Sequence, residues 1–318
     1  MHILFMGTPD FSAQFLRKIA ESDEIVGIVT KRDRPARRGH RLEYSEVKKF
    51  ALERNFALFQ PERINGIDFV KSVKELEPEL IVVVAFGKIL PPEVLIIPNK
   101  GCVNIHFSLL PKYRGPAPVQ WALLNGDSYT GVSAMFMKEE VDTGEIILQR
   151  KVTIDPEDNY FSLLAKLCEA GVNLLGETLD LIREGRAPSH PQVDSGISYA
   201  PVLKKSDGQI NWNDPSRRIC NQIRALNPWP GTYIKLNGGR SVKILEAKIT
   251  TVPVAVNKRV SPKPGEILEI RKGVGFIVAC REDGLLVTQV QPESKSVQSA
   301  YDYLQGARLK VGHIWGKQ

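Results

Sequence analysis

The sequence predicts an α/β chain in two parts. A mostly parallel sheet with helices on both faces spans residues 1–184, a linker spans 185–205, and a smaller, basic, strand-rich barrel of the oligonucleotide-binding kind spans 206–318. Three observations carry this reading. Strand-like and helix-like patterns alternate through the first part, as βαβ units do. The apolar runs there are continuous rather than alternating, as in strands covered on both faces. After the linker come five short β-rich runs separated by Gly, Asn and Pro, which fit a small barrel.

The elements follow in order. Residues 2–6 are a short apolar run, the first strand. Pro9 suits the first turn of the helix that runs to about residue 20, where its missing N–H costs nothing. Gly7-Thr8-Pro9 stands where a nucleotide-binding fold carries its phosphate loop, but GxGxxG is absent, so the glycine reads as a turn for helix packing. Residues 25–30 are a second strand; 46–55 and 66–76 are helical. Residues 80–85 are branched and apolar, a buried strand, and 102–107 are another. Residues 117–125 are helical, with Gly126 as terminator. Strands at 132–138 and 146–154 precede a long amphipathic helix over 161–183. The linker carries Pro188, Pro191 and Pro201 with Ser and Gly and no helical period. A helix at 216–225 leads into strands at 232–236, 242–249, 265–270, 275–279 and 285–291.

Composition excludes several classes. With 42% hydrophobic and 25% charged residues, the 318-residue chain is an ordinary globular protein with room for two domains. The longest apolar run, residues 80–86, is too short to cross a bilayer, so no membrane role is expected. Residues 1–20 contain Asp10 and lack the pattern of a secretory signal, which predicts the cytoplasm. Cys102, Cys168, Cys220 and Cys280 follow no CxxC or ligand spacing, and HExxH is absent; no metal is expected, nor NAD or ATP. A monomer is expected. Residues 1–200 hold 24 basic and 27 acidic side chains, net −3, while residues 201–318 hold 19 and 9, net +10. A basic half suits a polyanionic partner or simple solubility, and charge alone leaves both open.

The strongest local signal is Asn104-Ile105-His106 followed by Ser108-Leu109-Leu110-Pro111-Lys112-Tyr113-Arg114-Gly115. Asn104 and His106 lie two apart on a strand, so they share a face. They also sit at the C-terminal end, where open α/β sheets place ligands. Asp142 follows in Val141-Asp142-Thr143-Gly144-Glu145, a turn that can return to the same end of the sheet. An amide, an imidazole and a carboxylate, without a Ser or Cys nucleophile in a recognisable setting, suit acyl transfer by direct attack of an amine. Asn104 and His106 would stabilise the oxyanion and Asp142 would orient His106. The same residues also fit a turn, a cap and a satisfied core histidine, and spacing alone leaves both readings open.

The segment from Asn104 to Gly115 closely resembles the signature of the 10-formyltetrahydrofolate-using formyltransferases. The resemblance implies a Rossmann-like catalytic domain, 10-formyltetrahydrofolate as co-substrate, and a catalytic set matched by Asn104, His106 and Asp142. It implies that Ser108, Leu109, Leu110 and Pro111 lie against the folate. The run Ala85-Phe86-Gly87-Lys88-Ile89-Leu90 resembles the family's pterin pocket wall, which implies contacts from Phe86, Gly87, Ile89 and Leu90. The likeness extends from Gly7-Thr8-Pro9-Asp10-Phe11 to the closing barrel.

The acceptor is read elsewhere. Residues 31–41 hold six basic side chains besides His40, shaped by Pro35 and Gly39. Such a loop suits phosphates or is a solvated charge run. Its Asp-Arg-Pro-x-x-Arg-Gly pattern resembles the insertion loop of the formyltransferases that act on methionyl-tRNA. That implies initiator methionyl-tRNA as partner, tRNA contacts from Arg34, Arg37, Arg38 and Arg41, and Arg38 as the match to the loop's key arginine. Trp229-Pro230-Gly231 and the basic barrel resemble the same group. The alternative is a folate-dependent formyltransferase acting on a nucleotide-linked amino sugar.

Overall fold

The computed structural model describes residues 1–35, 42–251 and 262–316. The chain divides into two compact units. The first comprises Met1–Pro118, Tyr129–Thr153 and Leu163–Pro201; the second comprises Val119–Ser128, Ile154–Ser162 and Val202–Gln318.

In chain order, β1 (His2–Gly7), α1 (Ser12–Ile19), β2 (Glu24–Val29), β3 (Arg34–Pro35), β4 (Leu42–Glu43), α2 (Glu46–Glu53) and β5 (Leu58–Phe59) come first. Next are α3 (Ile67–Glu75), β6 (Leu80–Val84), α4 (Pro92–Leu95), β7 (Cys102–His106) and α5 (Pro118–Asn125). Then follow β8 (Tyr129–Phe136), β9 (Ile146–Thr153), α6 (Tyr160–Arg183) and α7 (Ser216–Leu226). The chain continues through β10 (Tyr233–Lys235), β11 (Ser241–Thr250), β12 (Ile267–Arg271), β13 (Gly275–Ala279), β14 (Gly284–Pro292), β15 (Gln298–Ser299) and α8 (Ala300–Gly306).

The first unit holds a seven-stranded sheet in the order β5-β2-β1-β6-β7-β8-β9. The first five strands pair in parallel, and β8 and β9 add antiparallel pairs. The sheet is mostly parallel, as the continuous apolar runs required. All five residues of β6 are buried. On one face Leu4, Met6, Ile81, Val83 and Cys102 pack with Phe69 and Val73 of α3 and Val94 of α4. α6 buries Leu163, Leu167, Gly171, Leu174, Leu175 and Thr178 at helical spacing. A Cβ at Gly171 would stand 3.0 Å from the Phe15 ring, so that glycine lets α6 approach α1.

The strand order reverses between β1 and β6, and open α/β sheets take ligands outside the strand ends at such a point. The turns after both meet there. Thr8 Oγ1 donates to the Phe86 carbonyl at 3.4 Å, and Ser12 Oγ donates to that of Val84 at 3.0 Å. A Cβ on Gly7 would stand 2.7 Å from the Phe5 ring and 3.0 Å from Ser12 Cβ. Gly7 therefore serves packing.

The second unit holds an antiparallel sheet in the order β10-β11-β14-β13-β12, with β15 on β14. Trp212, Phe276 and Trp315 form the aromatic centre of its core. Trp212 Nε1 donates to the Trp315 carbonyl at 2.8 Å, which satisfies the buried indole. All five expected strands are present, and the two-residue β15 is an addition.

The stretch expected as a linker does not behave as one piece. His190 exchanges backbone hydrogen bonds with Ile146, and Ser198 and Ala200 bond to Arg114. Residues up to Pro201 belong with the first unit, and residues from Val202 with the second.

Candidate active site

β7 lies between β6 and β8, with Asn104 opposite Val83 and Met135, and His106 opposite Ser133. Cys102, Asn104 and His106 share one face by strand alternation. Cys102 is packed into the core on that face, and Asn104 and His106 carry the face on to the crevice end. His106 is buried, at 6% exposure. Its Nε2 donates to the Tyr113 carbonyl at 2.9 Å. Its Nδ1 stands 3.5 Å from Asp142 Oδ2. A carbonyl can only accept, so the Tyr113 contact fixes a proton on Nε2. The Nδ1 contact is longer than a normal hydrogen bond. The ring is therefore anchored through Nε2, and its Nδ1 edge is the looser one. Asn104 is half-buried, and among the described residues its side chain makes no hydrogen bond. It is the open donor of the pair.

Asp142 stands in the turn between β8 and β9. Its Oδ2 accepts from the Gly115 N–H at 2.7 Å, so one carboxylate oxygen meets both the His106 ring and the end of the signature loop. The turn is tight. A Cβ on Gly144 would fall 1.6 Å from the Phe136 carbonyl oxygen. Asp142 itself has φ +56°, in the left-handed region. Ala85 (φ +49°) and Tyr113 (φ +61°) do the same at the ends of β6 and the signature loop. Such residues cost of order 1–3 kcal/mol each and gather at functional sites.

The turn is held by a residue that sequence reasoning missed. Gln192, from the expected linker, donates from Nε2 to the carbonyls of Asp142 and Gly144, both at 2.9 Å. Its Oε1 accepts from Arg114 Nε at 3.0 Å and Nη2 at 2.7 Å. Nothing in the local pattern around Gln192 marks it, because all its partners are distant in sequence.

The loop Ser108–Pro111, expected against the folate, is fixed from below by two further residues missed in the sequence. Ser133 Oγ donates to the Ser108 carbonyl at 2.6 Å and accepts from the Leu110 N–H at 3.1 Å. Gln149 Nε2 donates to Ser133 Oγ at 2.8 Å and to the Leu110 carbonyl at 2.9 Å. Ser108 and Leu110 are buried, while Leu109 and Pro111 are half-buried. A Cβ on Gly131 would strike Leu109 at 2.4 Å, so the glycine in β8 seats that side chain. In the other segment expected against the folate, Phe86 and Leu90 are core residues, Gly87 has φ +70°, and Ile89 is 68% exposed. Lys88 Nζ donates to the carbonyls of Pro61 and Glu62. Ile89 and Leu90 line a depression of about 640 Å³ with Arg63, Lys88, Pro91 and Glu139. Phe86, Leu90, Ser108 and Leu110 are thus buried, whereas Ile89, Leu109 and Pro111 retain exposed surface.

Of the basic loop, Arg37, Arg38 and Arg41 lie outside the described residues, and Arg34 is described as backbone, paired with Glu43 between β3 and β4. The root of the loop is tied down. Lys48 Nζ meets Asp33 at 2.5 Å and Gln60 Oε1 at 3.0 Å, and Gln60 Nε2 donates to the Lys31 carbonyl at 2.7 Å. Among the described residues no group of His, Cys, Asp and Glu could hold a metal ion.

The sequence matches the family described as "Formyl transferase" over residues 1–179, and that described as "Formyl transferase, C-terminal domain" over residues 202–308. It is 42% identical over 311 residues to a methionyl-tRNA formyltransferase of Thermodesulfovibrio yellowstonii, covering 98% of this chain and 97% of that one. It is 43% identical over 317 residues to a methionyl-tRNA formyltransferase of Moorella thermoacetica, covering 99% of each. Among solved structures, HypX from Aquifex aeolicus in complex with tetrahydrofolic acid is similar at a TM-score of 0.66 and 18% identity, over 98% of this chain and 48% of that chain. WlaRD, a sugar 3N-formyl transferase, is similar at 0.65 and 20%, over 93% and 99%. These two structural likenesses concern the fold.

Proposed function

This chain belongs to the formyl transferase family, and from that premise we propose that it moves a formyl group from 10-formyltetrahydrofolate to the free amine of initiator methionyl-tRNA. The observation that carries the chemistry is the His106–Asp142 pair at 3.5 Å beside an Asn104 carboxamide left open on the same strand face. The acceptor is supported by relatives at 42% and 43% identity over nearly their whole length that are named for methionyl-tRNA. WlaRD, the sugar 3N-formyl transferase, stands at 20%.

In this reading the acceptor amine attacks the formyl carbon. The new C–N bond forms as the bond from that carbon to folate N10 breaks; the amine gives up a proton and N10 takes one. Asn104 donates to the formyl oxygen as negative charge collects there. The His106 edge carrying Nδ1 stands beside it, with the ring held through Nε2 by the Tyr113 carbonyl. Asp142 orients that edge and is itself fixed by Gly115. Ile89, Leu109 and Pro111 offer apolar contacts to the folate, and the backbone at Gly87 gives it close approach. An open amide donor facing a crevice fits a carbonyl oxygen of that co-substrate.

The tRNA is met by Arg34, Arg37, Arg38 and Arg41 near the acceptor end and by the net +10 of residues 201–318 along its phosphates. Among the described residues no helix is long and apolar enough to cross a membrane, and we place the protein in the cytoplasm with its tRNA.

The test is an acceptor panel. The full chain and 10-formyltetrahydrofolate are given initiator methionyl-tRNA, elongator methionyl-tRNA and a dTDP-linked amino sugar. The expected order of kcat/KM is initiator, then elongator, with no sugar product. Preferential formylation of the sugar overturns the acceptor assignment.

A further inference from the structure

Gln192 lies between the two matched family regions, which end at residue 179 and resume at 202. Its carboxamide is saturated. A glutamine amide has two N–H donors and two lone pairs on oxygen. Here both donors go to the carbonyls of Asp142 and Gly144, and the oxygen takes two bonds from the Arg114 guanidinium. The orientation is unique. Turning the amide over would set its NH₂ against the arginine donors and its oxygen against two carbonyls.

The far end of this clamp is equally fixed. Arg114 donates its backbone N–H to the Ser198 carbonyl at 2.9 Å and accepts from the Ala200 N–H at 2.7 Å. The next residue, Gly115, donates to Asp142 Oδ2. A Cβ there would stand 2.8 Å from the Ala200 carbonyl oxygen, so the closeness depends on glycine. Asp142 is thus held at both ends, its carboxylate by Gly115 and its carbonyl by Gln192. That hold opposes a real cost, because Asp142 sits at φ +56°, which an unsupported aspartate readily leaves.

We propose that Gln192 is a positioning residue that sets the Asp142 carboxylate against His106 by locking the 142–144 backbone to Arg114. The proposal rests on the reading that Asp142 acts through His106. A double-mutant cycle tests it in the full-length chain: kcat and both KM values for wild type, Gln192→Ala, Asp142→Asn and the double variant, with folding checked by circular dichroism. Gln192→Ala is expected to lower kcat about tenfold, with both KM values within about twofold, and to change kcat by less than about twofold once Asp142 is asparagine. Gln192→Glu, which keeps an acceptor for Arg114 but has no N–H for the two carbonyls, should not rescue. Equal loss in both backgrounds, or no loss of kcat in Gln192→Ala, overturns the proposal. If Asp142→Asn alone leaves kcat unchanged, the catalytic reading falls and the clamp loses its purpose. Should Gln192→Ala fail to fold, the same cycle run with Gln192→Glu distinguishes the same outcomes.

Discussion

Nδ1 of His106 stands 3.5 Å from Oδ2 of Asp142, and that oxygen also accepts a 2.7 Å bond from the Gly115 N–H. The carboxylate is therefore placed by backbone, and the imidazole is placed by the Tyr113 carbonyl on its other side. Each side chain thus has a backbone anchor of its own, and Asp142 faces His106 on the Nδ1 edge. Such a site is organised before substrate arrives, which is the condition for fixed dipoles to act on developing charge.

Asn104→Ala separates chemistry from folding. Asn104 is half-buried and has no side-chain partner among the described residues, so its loss orphans nothing. The variant should keep its melting temperature and lose on the order of a hundredfold in kcat. Steady-state kinetics beside a thermal melt read both, and a folded variant with near wild-type turnover removes Asn104 from the site.

Gly144→Ala tests the turn. Its Cβ would fall 1.6 Å from the Phe136 carbonyl oxygen, so backbone must move. The loss of stability should reach about 3 kcal/mol, with turnover falling as Asp142 shifts. Gly196→Ala is the control: it meets nothing within 4 Å at φ +84°, and costs about 1–2 kcal/mol for the left-handed backbone alone. Equal melts for the two variants would show that the contact with Phe136 relaxes freely.

The four cysteines supply a pH-dependent prediction. Burial pushes the thiols of Cys102, Cys168 and Cys280 up to about 12. It also raises that of Cys220, against the pull of Arg224. The thiolate is the nucleophile, so burial that raises these thiols leaves few of them reactive near pH 8. Native protein should react slowly with an aromatic disulfide reagent, and four thiols should appear on unfolding. A native thiol that reacts at the rate of a free cysteine contradicts this packing.

The parts of the fold that were legible are those whose signal is local. Leu80–Val84 announces itself by an unbroken branched apolar run, and α6 by its repeat. The two-residue strands β3, β4, β5 and β15 carry too few side chains for any period to show. Within the site, Asn104 and His106 were legible because strand alternation alone puts them on one face. Ser133, Gln149 and Gln192 were not, because each acts through hydrogen bonds to residues 16 to 50 or more positions away. The segment holding Gln192 looked like a linker since its Pro and Ser content suits one equally well. Its bonds to Ile146 and to the Arg114 main chain are backbone bonds, which leave no mark on composition.

The proposed formyl transfer to methionyl-tRNA stands or falls with the His106–Asp142 pair. It is tested most directly by single-turnover formylation of initiator methionyl-tRNA, with enzyme and 10-formyltetrahydrofolate in excess, comparing wild type with Asp142→Asn. Asparagine keeps the size and an oxygen for the Gly115 N–H but removes the charge beside His106 Nδ1. The expected rate is at least about a hundredfold lower, with tRNA binding unchanged. A variant that binds tRNA normally and formylates it at the wild-type rate contradicts the account.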